Sequence, residues 1–186
     1  MEKIALPETL GNETITLQRH NHIFDEQLFN AIDANRTHLR PWLFWVDKTN
    51  TLEDTKKTTD LFINLWQEKS NFAYVILNKQ NEVLGTIDFH DVNIDNRSGE
   101  IGYWLRKDKT GYGYISMALK LLEDEIFNLG FVRIAITCDS LNTASSAVAI
   151  RNSYSYEGCC KKALNAYGEL HDRLLYAKIN PLTSIS

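Results

Sequence analysis

From Glu100 to Ser116 the chain reads E-I-G-Y-W-L-R-K-D-K-T-G-Y-G-Y-I-S: an apolar strand runs into a turn punctuated by Gly111 and Gly113, and the turn opens a helix. No other feature restricts the fold so strongly. Glycines at a strand-to-helix turn admit left-handed backbone and let main-chain N–H groups approach a ligand closely. The helix that follows offers the positive end of its dipole to anionic oxygens. The segment therefore predicts an anion cradle suited to a phosphorylated cofactor. It is not a Walker loop, which needs Lys followed by Ser or Thr after the second glycine, and Ser116 stands where a dinucleotide fingerprint has its third glycine. A tight strand-to-helix connection without a ligand is the plain alternative for the same residues.

The periodicity around this segment sets its place in a fold. Residues 72–77, 83–89 and 100–105 read as three consecutive strands separated by the polar stretches 78–82 and 91–99, which predicts an antiparallel meander. Upstream lie a strand over 14–18 and a helix with Phe24, Leu28, Phe29 and Ile32 at helical spacing. A second helix is started by Thr51 with Asp54 three residues on and is faced by Leu61, Phe62, Leu65 and Trp66. Downstream, Leu119, Leu122, Ile126 and Leu129 share one face of a long helix that Gly130 ends. A strand over 131–137 follows, then a short helix capped by Asn142, then closing strands near 154–160 and 173–179. The expected architecture is mixed α/β (α+β), one domain over residues 1–186. Its central, mostly antiparallel twisted sheet has about six or seven strands, with helices on both faces.

Bulk properties exclude more than they choose. A chain of 186 residues, 44% of them hydrophobic, supplies one full core. A net charge of -4 leaves no electrostatic footprint for nucleic acid. No apolar run reaches membrane-span length and the opening residues lack a secretory pattern, so a cytoplasmic protein is expected. Cys138, Cys159 and Cys160 are odd in number and have no metal-ligand spacing, which fits a reducing compartment and no metal, with Cys138 read as packing.

At this point the sequence resembles a family. E-I-G-Y-W-L and T-G-Y-G-Y-I-S, N-T-A-S from Asn142 to Ser145, Y-S-Y-E-G from Tyr154 to Gly158 and G-E-L-H-D from Gly168 to Asp172 occur in the order found in the GNAT acetyl-CoA-dependent N-acetyltransferases. N-R-T-H-L-R-P-W, from Asn35 to Trp42, extends the likeness over most of the chain and points to the RimL-like branch, the ribosomal-protein-serine N-acetyltransferases. The resemblance implies acetyl-CoA as cofactor. It implies that the strand before the loop splays from its neighbour, with Tyr103, Trp104 and Leu105 lending backbone groups to the pantetheine arm. Thr110, Gly111, Tyr112, Gly113, Tyr114, Ile115 and Ser116 would hold the pyrophosphate, with Arg106, Lys107 and Lys109 balancing its charge. Two residues depart from the family pattern: Thr110 replaces Gln or Arg, and Ile115 replaces Gly or Ala, where a β-branched side chain could crowd the cofactor.

The implied chemistry needs two proton movements. A neutral amine attacks the thioester, and the departing sulfur takes a proton. The resemblance puts the donor at Ser145, in the first helical turn after Asn142, where a helix N-terminus favours developing negative charge. Simple capping by Asn142 and Ser145 is the alternative. The carboxylate that the branch uses as base aligns with Leu164, so that role does not carry over. Glu100 could instead act through a water, as a carboxylate on that strand does in other acetyltransferases. An α-amine, with a pKa of roughly 7.7 to 8.0, tolerates a weak base better than a lysine near 10.4. The acceptor groove is expected between early helices and late strands, with Trp42, Phe44, Trp45 and Tyr167 on its apolar part and Asn35, Arg36 and His38 for polar contacts. Adjacent in a strand, His171 and Asp172 should face opposite ways. No nucleophile-His-acid constellation is evident, which fits direct transfer to a primary amine, foremost the N-terminal α-amine of a protein such as a ribosomal protein. A small amine (polyamine, amino sugar or amino acid) and a silent acyl-CoA-binding module are the alternatives. A homodimer is expected on base rates.

Overall fold

The structure is a computed structural model that describes residues 4–181. Residues 1–3, which bear on the leader reading, and 182–186 lie outside the described residues. Strands β1 (Thr9–Gly11), β2 (Ile15–Arg19), β3 (Phe72–Asn78), β4 (Val83–Asn93), β5 (Ser98–Leu105), β6 (Arg133–Asp139), β7 (Ser155–Ala166) and β8 (Glu169–Ile179) form one sheet, in the order β1-β2-β3-β4-β5-β6-β8-β7. Every neighbouring pair is antiparallel except β5 with β6. The sheet has eight strands where six or seven were expected. The addition is β1, too short for an alternating pattern to register, which pairs Leu10 with Leu17 of β2.

The helices are α1 (Asp25–Ala34), α2 (Arg36–Leu39), α3 (Leu52–Glu68), α4 (Tyr114–Asn128) and α5 (Thr143–Arg151). Alternation along β3 divides the interior in two. Phe72, Tyr74 and Ile76 join Leu119, Leu122 and Ile126 of α4 in one core, and Val75 and Leu77 join Leu28 and Ile32 of α1 and Leu39 of α2 in the other. Helix ends follow local chemistry. Thr51 Oγ1 accepts from Asp54 N at 3.2 Å while Asp54 Oδ2 accepts from Thr51 N at 3.0 Å, the reciprocal box that starts α3. Among the described residues no helix is long and apolar enough to cross a membrane.

One irregularity positions the site. Ser98, Gly99 and Glu100 of β5 pair with Arg133, Ile134 and Ala135 of β6, and there the ladder stops. Beyond it β5 stays with β4 as far as Leu105, and β6 stays with β8 as far as Asp139. The two parallel strands therefore diverge toward their carboxyl ends and leave a V-shaped gap in the sheet. Such ends are where open α/β sheets take ligands.

Candidate active site

The gap holds a cavity of about 230 Å³ whose walls are Ile101, Gly102 and Tyr103 of β5 and Ile136 to Asp139 of β6. Asn142 and Ser145 close one side, Leu164 and Arg173 another, and Trp42, Leu43 and Phe44 reach over from the segment after α2.

Next to the gap, β5 runs through Arg106 and a short turn into α4. Gly111 (φ +85°) and Gly113 (φ +79°) adopt left-handed backbone, and Gly113 is the residue that starts the helix. No side chain caps this end, so the first-turn N–H groups of Tyr114, Ile115 and Ser116 are left for a ligand or solvent. That is the fit expected for a diphosphate. The Ile115 side chain is buried in the core beside Ala118 and Leu119, so its β-branch does not crowd the turn. Thr110 Oγ1 donates to Lys107 O at 2.8 Å and ties the turn together. Ser116 Oγ accepts from Asn152 Nδ2 at 3.0 Å and Arg151 Nε at 3.2 Å, and Tyr112 stands exposed with its ring 5.9 Å from that of Tyr114. Arg106 forks onto Asp108 at 2.9 and 3.0 Å and reaches Glu82 at 2.7 Å, which also holds Lys109 at 3.2 Å. Lys107 makes no ion pair among the described residues, and its N–H donates to Asn35 Oδ1 at 2.8 Å. Trp104 and Leu105 are buried on opposite sides of β5, one in each core.

Ser145 and Asn142 stand as the sequence predicts, with Asn142 Oδ1 accepting from Ser145 N at 3.1 Å. In addition, Ser145 Oγ lies 3.0 Å from Tyr103 Oη. Burial pushes the Tyr103 phenol up to about 12, so at neutral pH it keeps its proton and can pass it along. Cys138 is buried on the wall, its Sγ 3.4 Å from Ser146 Oγ, and burial pushes its thiol up.

On the opposite face Glu100 Oε1 accepts from Thr137 Oγ1 at 2.5 Å and lies 4.0 Å from His90 Nε2. His90 Nδ1 is in turn 2.9 Å from Asp88 Oδ2. Burial alone would push His90 down, but Asp88, with Glu100 and Asp91 beyond it, holds it above its ordinary value. Asp139, at the end of β6, receives Leu141 N on Oδ1 at 2.8 Å and faces His171 Nδ1 with Oδ2 at 2.6 Å. Arg173 stands opposite Asp139, and His171 stands opposite Leu164, in the β8 ladders. Asp172 faces away from His171 and binds Lys161, as strand alternation requires.

Of the expected groove residues, Trp42 and Phe44 reach the cavity. Trp45 packs at 6.3 Å on Trp104, and Tyr167, at the β7–β8 hairpin tip, packs edge-on against Phe44 at 5.3 Å. Tyr167 Oη also donates to Arg40 O at 3.1 Å. Asn35 and Arg36 are occupied by framework bonds, Asn35 to Ala31 O and Lys107 N, Arg36 to Asp33, Val46 O and Thr49 O. Burial, then the charge of Lys107, pushes His38 down. Sequence reasoning missed Thr137, Asp139 and Arg173 as wall residues. The one available signal was position, since Thr137 and Asp139 lie toward the carboxyl end of the strand that runs parallel to β5.

A splayed parallel strand pair beside an uncapped glycine turn defines a fold that presents an acyl donor through a sheet. Residues 15–154 match the acetyltransferase (GNAT) domain, and the chain belongs to that family. Its chemistry is acetyl transfer to nitrogen with acetyl-CoA as donor. The ribosomal-protein-serine acetyltransferase of Escherichia coli (strain K12) is 34% identical over 179 residues, 96% of this chain and 97% of that protein. Among solved structures, the ribosomal L7/L12 α-N-protein acetyltransferase RimL in complex with coenzyme A superposes with a TM-score of 0.89 at 32% identity, covering 92% of this chain and 98% of the other. The microcin C7 self-immunity acetyltransferase MccE, bound to acetyl-CoA and AMP, reaches a TM-score of 0.87 at 26% identity over 90% of this chain and 93% of its own.

Proposed function

We propose that this protein acetylates the N-terminal α-amine of a protein, with a serine-first ribosomal protein as the leading acceptor, and that it does so in the cytoplasm. The V-shaped gap supports the reading most. It joins an uncapped helix end on one side to an acceptor wall of Trp42, Phe44, Asp139 and Arg173 on the other. The E. coli relative, a ribosomal-protein-serine acetyltransferase, supplies the acceptor class.

In this reading the first-turn amides of Tyr114, Ile115 and Ser116, with Gly111 to Gly113, hold the diphosphate. Tyr103, Trp104 and Leu105 flank the pantetheine arm, with Arg106 and Thr110 shaping the turn. Bound acetyl-CoA supplies an activated acetyl thioester. Ser145, backed by Tyr103, delivers a proton to the departing sulfur from the first turn of α5. Glu100, held by Thr137 at the apex of the gap, acts through a water to steady the positive charge that builds on the attacking nitrogen. A homodimer remains part of the proposal, resting on the prevalence of two-fold pairs among soluble oligomers, and sedimentation reads it.

The test is acetyl-CoA turnover on a peptide panel that varies the first residues, beginning with Ser, beside a panel of small amines. Coenzyme A release with serine-first peptides supports the proposal. Turnover confined to polyamines, amino sugars or amino acids would replace the acceptor, and tight binding without turnover would leave a silent binding module.

A further inference from the structure

We propose that His171, oriented by Asp139, accepts the proton of the incoming amine and fills the place left by Leu164. The inference rests on the N-acetyltransfer reading of this site.

Three observations converge on the pair. Asp139 is only 6% exposed yet forms part of the cavity wall, an isolated place for a carboxylate unless it is matched. Both its oxygens are used, Oδ1 by Leu141 N at 2.8 Å and Oδ2 by His171 Nδ1 at 2.6 Å. The second bond fixes the imidazole with Nδ1–H toward the carboxylate and leaves Nε2 as the basic nitrogen. Third, His171 lies directly across the β7–β8 ladder from Leu164, which is itself a wall residue. Side chains opposite each other on one face of a sheet are neighbours. His171 therefore lies beside the position where the RimL-like branch carries its carboxylate, with a base of another kind.

The charged groups around the ring are few. Asp139 faces it from β6, Glu169 from β8 with Oε2 at 3.6 Å from Nε2, and Arg173 lies two residues along β8, while β7 presents the uncharged Leu164. Lys161 Nζ of β7 is held by Asp172 on the other face, and Lys162 Nζ donates to Leu170 O at 3.0 Å. The reaction balances without another reactant. The amine nitrogen attacks the thioester carbonyl carbon and the N–C bond forms, and its proton passes to His171 Nε2 through a water at the cavity mouth. The C–S bond breaks and the sulfur takes a proton from the Ser145 hydroxyl, which regains one from bulk water through Tyr103 Oη. The imidazolium, steadied by Asp139, then releases its proton toward the exposed Glu169 and bulk water. His171 is thus catalytic and Asp139 a positioning residue.

The test uses the full chain with acetyl-CoA and the acceptor that the parent protein turns over. His171→Gln is expected to lower kcat about 10²-fold, abolish the acid limb of the kcat profile at saturating acceptor and leave acetyl-CoA affinity unchanged. Asp139→Asn should move that limb to lower pH, because the imidazole loses its anionic partner. Adding Leu164→Glu to His171→Gln should recover about tenfold or more, since it returns a base to the same patch. A His171→Gln protein with parental kcat and an intact acid limb overturns the proposal. So does a variant that loses acetyl-CoA affinity along with activity and regains nothing from Leu164→Glu, which is the result for a framework role. A parent inactive on every amine counts against the transfer reading itself, whereas an active parent with an equally active His171→Gln counts against this pair alone.

Discussion

Tyr103 Oη lies 3.0 Å from Ser145 Oγ, so that the strand flanking the gap and the first turn of α5 share one hydroxyl pair above the cavity. Because burial holds the phenol protonated, the pair can feed a proton toward a leaving sulfur in the positive end of the helix dipole. Ser145→Ala is expected to lower kcat about 10²-fold with acetyl-CoA affinity unchanged, and Tyr103→Phe to lower it less, because Ser145 keeps its place at the helix end. Steady-state kinetics with calorimetric cofactor affinity checks both. Unchanged turnover in Ser145→Ala would remove the residue from the mechanism.

The glycine turn makes a separate prediction. A Cβ at Gly111 would meet nothing within 4 Å, and at Gly113 only Met117 Cε at 3.9 Å, so space is not what requires glycine there. Backbone conformation is. Gly113→Ala is expected to cost about 1–2 kcal/mol through its left-handed φ, or to shift the first-turn amides, and acetyl-CoA affinity should fall while KM for the peptide holds. Thermal melting and calorimetry together measure the two effects.

Stability against pH turns on His20. Its ring is buried, its Nδ1 has no hydrogen-bond partner among the described residues, and desolvation pushes it down to about 4, with Asp25 opposing and His22 assisting. Protons then bind the unfolded chain more readily than the folded one. This erodes stability as pH falls from about 6.5 to about 4, by on the order of 3 kcal/mol, and has no effect above that window. His22 works in the other sense, because its bond to Asp25 raises it and adds stability that fades as pH rises through its folded value. In His20→Gln the loss between pH 6.5 and 4 should be visibly smaller than in the parent, as read by denaturant melts. Equal slopes would place the acid sensitivity elsewhere.

Lys178 Nζ lies 2.7 Å from Glu123 Oε2, and Glu123 is only 3% exposed. Removing the cation leaves a buried carboxylate uncompensated. Lys178→Met is expected to destabilise the fold by about 3–5 kcal/mol, and adding Glu123→Gln should restore much of it. A double-mutant cycle by denaturant melting measures the coupling.

What the sequence made legible was local. The Thr51–Asp54 box, the Asn142 cap, the glycine turn and the β3–β5 meander each depend on residues near one another, and each forms as read. Strand alternation also placed His171 and Asp172 on opposite faces. What escaped depended on partners far along the chain. The three residues of β1 are a strand only because β2 pairs with them. Ile115 looked hazardous at a close-approach position, but the helix register turns it into the core. Asp139 and His171 are 32 residues apart, and only the β6–β8 pairing brings them to one wall. Arg36, singled out for an acceptor, spends its guanidinium on Asp33 and on two backbone carbonyls of its own framework.

The most direct measurement is the position of the acetyl group after the protein is incubated with acetyl-CoA and a serine-first peptide that also carries an internal lysine, mapped by tandem mass spectrometry. Acetyl on the terminal nitrogen, with the lysine unmodified and one coenzyme A released per product, is the predicted result. Acetyl on the lysine alone, or none on the peptide while a small amine is consumed, would contradict it.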